Sequence, residues 1–362
     1  MNSILSQTKD TIRTINNTPY PGPSMLSSEE KAFYYLLGST LLTLEGAVVD
    51  AGCWLGSSSF YLGKGIEQNK KFNGSQVIYA YDIFRWDKNH DQQIKKHLVS
   101  IKENDDFHFL TDKFLETLKL RVVTRQIDYS ISPSKIQYHS GEPIEALIVD
   151  AGKTPKLLFN ILEGYLPYCI EDKAVIFFQD YRDYFCWFIP PVVSFLNDIL
   201  EPMIYLDNGG AGFRFRNKQE AKKLLDDARE MFKDGTALEK YYDKAIAKVG
   251  EKYQETFYQI KANKVAVFLH LQRVTEAYYG HEQGVEKIDA KFEPALLAYV
   301  KDLDSSWPVR VIDTPLQNAY RRVRHAVTGK KDLTLNFKPY YYYKRRILNP
   351  IYLKIFLKRL FR

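Results

Sequence analysis

The segment Ala47–Gly63, AVVDAGCWLGSSSFYLG, constrains this chain more than any other. Three apolar residues, Ala47, Val48 and Val49, run into Asp50. Gly52 and Gly56 then interrupt, and a serine-rich stretch opens onto Phe60, Tyr61 and Leu62. That succession reads as a buried strand, a glycine turn and the start of a helix. A backbone without Cβ lets a ligand approach closely, and the first turn of a helix offers N–H groups with no partner in the helix. Such a turn suits a nucleotide-like ligand, although a ligand-free turn in an α/β domain has the same pattern. The spacing is Asp50-x-Gly52-x-Trp54-x-Gly56, which fails the dinucleotide fingerprint G-x-G-x-x-G, and no Gly-Lys-Ser/Thr follows to make a P-loop.

The rest of the first two hundred residues alternates strand and helix signals. Residues up to about Met25, with Pro21-Gly22-Pro23, read as an irregular lead-in. Ser27-x-x-Glu30 is a capping box ahead of Phe33, Tyr34, Leu36, Leu37 and Leu41, whose spacing is helical. Val77 to Tyr81 forms a second strand ending at Asp82. That carboxylate can accept hydrogen bonds from both hydroxyls of a ribose, or simply cap the following turn. Arg121 to Gln126 fits a third strand, Ile144 to Val149 a fourth ending at Asp150, and Ala174 to Phe178 a fifth ending at Gln179-Asp180-Tyr181. Leu157 to Tyr165 supplies the helical crossover that parallel strands require. A helical stretch from Val192 to Leu200 leads to Met203–Leu206, Asn208-Gly209-Gly210 and Gly212–Arg216, a hairpin that closes the sheet.

Asp50, Gly52, Trp54, Gly56 and the serines that follow resemble the first motif of class I S-adenosylmethionine-dependent methyltransferases, and most closely that of the macrocin O-methyltransferase-like group. There a tryptophan at the middle glycine is usual. The resemblance covers Ser27 to about Asn217. It implies a doubly wound, mostly parallel seven-stranded α/β sheet with an antiparallel last strand. It also implies S-adenosylmethionine held by Asp50, Gly52, Trp54, Gly56, Ser57, Ser58 and Asp82, with Asp128 at the adenine edge. Asp150 and Asp180 close neighbouring strands, and two such carboxylates can hold a divalent cation that lowers the pKa of an acceptor hydroxyl. Asp150-x-x-Lys153 resembles the arrangement in catechol-type, cation-dependent O-methyltransferases, which implies Asp150 as magnesium ligand and Lys153 as base. In the macrocin group two acids end the fifth strand; here the first is Gln179, whose carboxamide can still coordinate magnesium. His90, His97 and His139 are alternative bases, each in a polar stretch where an exposed histidine is the plainer reading. Aromatic residues after Asp82 (Trp86) and after Asp180 (YRDYFCW) suit the face of a sugar ring, and equally suit plain lid packing.

Composition excludes several classes. Three scattered cysteines are too few for a disulfide framework or a zinc site. The N-terminal segment lacks the apolar core of a signal peptide, and no run is long enough to span a bilayer. The expectation is a cytoplasmic protein. The formal charge of +7 is uneven: from Arg321 onward thirteen basic residues face one acid, a net +12, which leaves −5 for everything before. Residues 218–330 read as a helical extension without sustained heptads, and 331–362 as a basic aromatic tail. In NPIYLKIFLKRLFR the residues Tyr352, Leu353, Phe356, Leu357, Leu360 and Phe361 share one arc opposite Lys354, Lys358, Arg359 and Arg362. That helix suits an anionic membrane interface, or docking on its own core or on a second subunit. No recognised nucleic-acid module is present. The expected reaction is methyl transfer to a hydroxyl, on a sugar or glycan precursor by resemblance, with magnesium as a candidate aid. The rival expectation is a non-catalytic scaffold that keeps the fold and docks through its tail.

Overall fold

A computed structural model describes residues 2–267 except 88–89, 91–100, 132–135, 137–140, 184–185, 208, 234, 251–252, 254–255, 258, 262 and 265–266. The chain divides into two units, Met1–Thr328 and Gly329–Arg362. The basic tail with its amphipathic helix, the latter part of the helical extension, His97 and His139 lie outside the described residues.

Seven strands form one sheet in the order β3-β2-β1-β4-β5-β7-β6: β1 (Ala47–Ala51), β2 (Val77–Asp82), β3 (Arg121–Gln126), β4 (Ile144–Val149), β5 (Val175–Phe178), β6 (Leu200–Tyr205) and β7 (Ala211–Phe215). The first five are parallel, and β7 is inserted antiparallel between β5 and β6. This is the class I methyltransferase-like sheet. Its central strands read as unbroken apolar runs because both faces are covered: every residue of β1, β4 and β5 is buried. The registers Asp50↔Ala80 and Asp50↔Ile148 bring the carboxyl ends of β1, β2 and β4 level. Four strand-end acids, Asp50, Asp82, Asp150 and Asp180, therefore stand along one edge of the sheet.

The expected capping box opens α2 (Ser28–Leu36): Glu30 N–H donates to Ser27 Oγ at 3.1 Å and Ser27 N–H to Glu30 Oε2 at 2.8 Å. Helix α3 (Ser57–Gln68) follows the glycine turn and crosses the end of α2 closely enough that a Cβ on Gly65 would sit 2.2 Å from the Tyr35 carbonyl oxygen. Helix α4 (His108–Leu115) precedes β3, and α5 (Pro155–Tyr165) is the β4–β5 crossover. Thr154 caps α5, accepting from the Leu157 N–H at 3.2 Å, with Pro155 at its first position.

Two expectations need amendment. Residues 1–26 are not wholly irregular, because Asn2–Asn16 forms a helix, α1, packed on α2. Its sparse apolar face of Ile4, Leu5, Ile12 and Ile15, joined by the buried Thr8, is too weak to declare a helix alone; it becomes one against a partner. The extension also shares one unit with the sheet from its start. Helices α7 (Ala221–Glu230) and α8 (Gly235–Val249) pack on α6 (Ile189–Phe195) and the loop before it. Phe195 meets Tyr241 at 4.7 Å, Trp187 meets Phe232 at 6.0 Å, and the Tyr242 hydroxyl donates to the Trp187 carbonyl at 2.5 Å.

Candidate active site

The glycine turn is held shut by its neighbours. Gly52 and Cys53 donate backbone N–H bonds to the Tyr81 carbonyl at 2.8 and 3.1 Å, and Gly56 donates to that of Cys53 at 2.7 Å. Gly52 has φ +105°, and a Cβ there would lie 2.4 Å from the Ala151 nitrogen, so only glycine lets the chain leaving β1 pass so close to the chain leaving β4. Trp54, where the motif expects a middle glycine, adopts φ +46°. A bulky residue there is strained by about 1 kcal/mol, and three contacts hold it. Its N–H donates to Asp82 Oδ2 at 2.9 Å, its carbonyl accepts from the Thr111 hydroxyl at 2.8 Å, and its indole stacks on Trp86 with centroids 6.1 Å apart.

Asp50 is buried, and its Oδ2 accepts from both the Ser58 and Ser59 hydroxyls at 2.6 Å. Its Oδ1 is shut away from solvent with no donor. Burial pushes this carboxyl up to about 6; the serine hydroxyls oppose the shift and the charges of Asp150 and Asp82 add to it. Asp82 accepts one bond on each oxygen, from Trp54 and from the Phe84 N–H at 3.0 Å, which leaves lone pairs for further donors. Burial raises its pKa as well, against those backbone N–H bonds. An orphaned carboxylate oxygen suits a ligand ammonium and spare lone pairs on Asp82 suit ribose hydroxyls, so these residues fit S-adenosylmethionine. Two expected contacts are already engaged within the protein. The Ser57 hydroxyl lies 2.6 Å from that of Ser24, and Ser58 serves Asp50. The lead-in segment thus straps the start of α3, with the Tyr20 hydroxyl donating to the Leu55 carbonyl. Asp128 is exposed and accepts from the Ser130 N–H at 2.8 Å, one strand beyond Asp82.

At β4 and β5 the chemistry changes. The Lys153 ammonium lies between Asp150 Oδ1 and Asp180 Oδ2 and bonds to both. The three side chains reach the surface only partly, at 25% for Lys153, 16% for Asp150 and 11% for Asp180. Burial alone would favour neutral lysine, but the two carboxylates outweigh it and hold the ammonium well above its usual value. In this arrangement the Lys153 ammonium donates to both carboxylates, which favour its protonated form. Asp150 is pushed up to about 6, chiefly by burial, with Lys153 opposing the shift and Asp180 adding to it.

The residues expected to hold magnesium do not fit it as folded. A lysine ammonium stands between the two carboxylates, where the ion would sit. Gln179 Oε1 accepts from the Tyr34 hydroxyl at 2.9 Å. Among the described residues no group of three His, Cys, Asp or Glu side chains could hold a metal. Magnesium wants about six oxygen ligands. His90 is half-buried, edge-on to Trp54 and Trp86 at 5.3 and 5.8 Å, and burial lowers its pKa.

Sequence reasoning missed two contributors. Tyr34 fixes Gln179 from α2, and its only signal was a place on the apolar face of that helix. Glu30 is 6% exposed, and its carboxyl is pushed up to about 8, mainly by burial, with Ser27 opposing and the charges of Asp180 and Asp150 adding. The capping box announced its backbone role but not its nearness to those acids.

Among solved structures, thirty chains match this one. They include CalS11, a TDP-rhamnose 3′-O-methyltransferase of calicheamicin biosynthesis, at 13% identity and TM-score 0.39, covering 59% of this chain and 94% of that one. The O-methyltransferase NovP matches at 10% identity and TM-score 0.39, covering 59% of this chain and 98% of that one. A putative rRNA methylase from Clostridium thermocellum matches at 14% identity and TM-score 0.32, covering 51% and 93%. No protein-family model and no curated protein sequence matches the chain.

Proposed function

We propose that this protein is an S-adenosylmethionine-dependent methyltransferase acting on a hydroxyl, with a sugar or glycan precursor as acceptor. The observation that carries the reading is the edge of the sheet: a glycine turn between Asp50 and Asp82, beside a lysine-bridged pair of acids on the next two strands. Open α/β sheets bind ligands at the carboxyl ends of their strands. Asp50, Gly52, Trp54 and Asp82 would hold S-adenosylmethionine, which supplies an electrophilic methyl group when bound.

This chain's own residues position the acceptor and move its proton. Asp150, ionised above about pH 6, takes the proton from the acceptor hydroxyl. Lys153 remains protonated, holds Asp150 against Asp180, and offers its positive charge to the developing oxyanion. This scheme uses no divalent cation.

The test is calorimetric titration with S-adenosylhomocysteine, with and without magnesium. Micromolar binding indifferent to magnesium is expected, and absence of binding in both buffers overturns the reading. With an active acceptor, kcat/KM should rise with pH through about 6 as Asp150 loses its proton, then stay level past neutrality because Lys153 does not titrate there. A profile that instead follows a lysine losing its proton would restore Lys153 as the base.

A further inference from the structure

The loop after β5 carries a charge that the scheme above leaves unused. Arg182 stands two residues past Asp180, so its Cα lies within about 7.6 Å of that of Asp180. Its Nε and Nη1 are closed to solvent, and among the described residues neither meets a hydrogen-bond acceptor. Burying guanidinium donors without acceptors is strongly unfavourable. Unsatisfied buried donors of this kind point to a missing partner.

The surroundings say what sort of partner. The helical segment that ends the described residues reaches this loop: Asn263 Nδ2 donates to the Arg182 carbonyl at 2.9 Å, which leaves the buried Asn263 Oδ1 with no donor. The same segment meets the β6–β7 turn, where the Thr256 hydroxyl donates to the Leu206 carbonyl at 2.9 Å. The next residue, Asp207, also has a buried and unpartnered Oδ1. Lys264, adjacent to Asn263, is already neutralised by Asp243 at 2.6 Å and Glu239 at 3.0 Å. Arg182 and Asn263, joined by the bond from Asn263 Nδ2 to the Arg182 carbonyl, therefore both keep buried polar atoms without a partner among the described residues, and Arg182 stands two residues from Asp180. An oxyanion would satisfy the first, and a hydroxyl group the second.

We infer that Arg182 and Asn263 bind an acceptor carrying an oxyanion beside its hydroxyls, that is, an anionic sugar bearing a carboxylate or a phosphate. This deepens the methyl-transfer reading and rests on it for the identity of the ligand as acceptor. It also gives the extension a role: it supplies one wall of the acceptor site.

The test uses the full chain with D-glucuronate, glucose 1-phosphate and neutral glucose as probes, measured by calorimetry in the presence of S-adenosylhomocysteine. At least one anionic sugar should bind tenfold or more tightly than glucose, and the two anionic probes together decide between carboxylate and phosphate. Arg182→Gln should erase that preference while leaving S-adenosylhomocysteine affinity within threefold of wild type. Asn263→Ala, which removes a hydroxyl acceptor without touching the charge, should weaken the anionic sugars at least threefold. Equal binding of glucose and both anionic sugars, or unchanged anion affinity in the two variants, overturns the inference. The two readings can fail separately. Anionic sugars bound through Arg182 by a protein that ignores S-adenosylhomocysteine would retain the anion site and remove the methyl transfer, and the opposite result would do the reverse.

Discussion

The two halves of the sheet edge treat their carboxylates in opposite ways. The bonds that Asp50 and Asp82 accept come from neutral donors, two serine hydroxyls on one oxygen of Asp50 and one backbone N–H on each oxygen of Asp82. Asp150 and Asp180 share the ammonium of Lys153. Hydrogen bonds from neutral groups stabilise a carboxylate but leave its charge in place, so the first pair still attracts a cation, as S-adenosylmethionine is. A shared ammonium neutralises one of the two charges internally, so the second half presents a smaller net negative charge than its two acids alone would. The difference teaches that adjacent acids on one sheet edge acquire different chemistry from their partners, not from their own type.

The contrast can be broken most severely at its cation. Lys153→Met leaves two buried acids facing each other, and turnover should fall by about 100- to 1,000-fold with S-adenosylhomocysteine affinity nearly unchanged, as read from initial rates beside calorimetry. An equal loss of cofactor affinity would mean that the two halves are not separate. Asp82→Ala attacks the other half. It removes acceptors used by Trp54 and Phe84 and should weaken S-adenosylhomocysteine binding by about 10- to 100-fold, with unchanged affinity counting against its role.

Glu30→Gln sharpens the comparison with the least effect on turnover. The folded carboxyl titrates near pH 8, above its ordinary value near 4.5, so the folded state binds the extra proton between those limits. The contribution of Glu30 to wild-type stability is therefore fully present below about pH 4.5 and falls progressively as pH rises towards 8, by on the order of a few kcal/mol. Glu30→Gln keeps the capping bonds and should flatten that slope, giving the higher Tm at pH 8 in thermal unfolding at several pH values. A variant that follows the wild-type curve would mean that Glu30 is ionised in the fold.

Much of this molecule is legible in the residue order because the relevant interactions are local. The strands from β1 to β5 announce themselves as apolar runs, the Ser27–Glu30 capping box and the glycine turn each lie within a few residues, and Asp50, Asp82, Asp150 and Asp180 each end a strand. Helix α1 was illegible because its apolar face is too sparse to form a helix without α2. The strained backbone of Trp54 could not be read either, since its N–H and carbonyl are held by Asp82 and Thr111, far away in the chain. Nor could the bond that Gln179 accepts from Tyr34 be read, since Tyr34 stands 145 positions earlier in the chain.

By itself, then, the sequence determined the order of elements and the residues at the sheet edge, because periodicity, turns and caps act over short stretches of chain. Only the tertiary structure decided what those residues can do. Strands adjacent in space set Asp150 and Asp180 on either side of Lys153, and a group's proton affinity follows the charges that surround it in space, so the ammonium is favoured there.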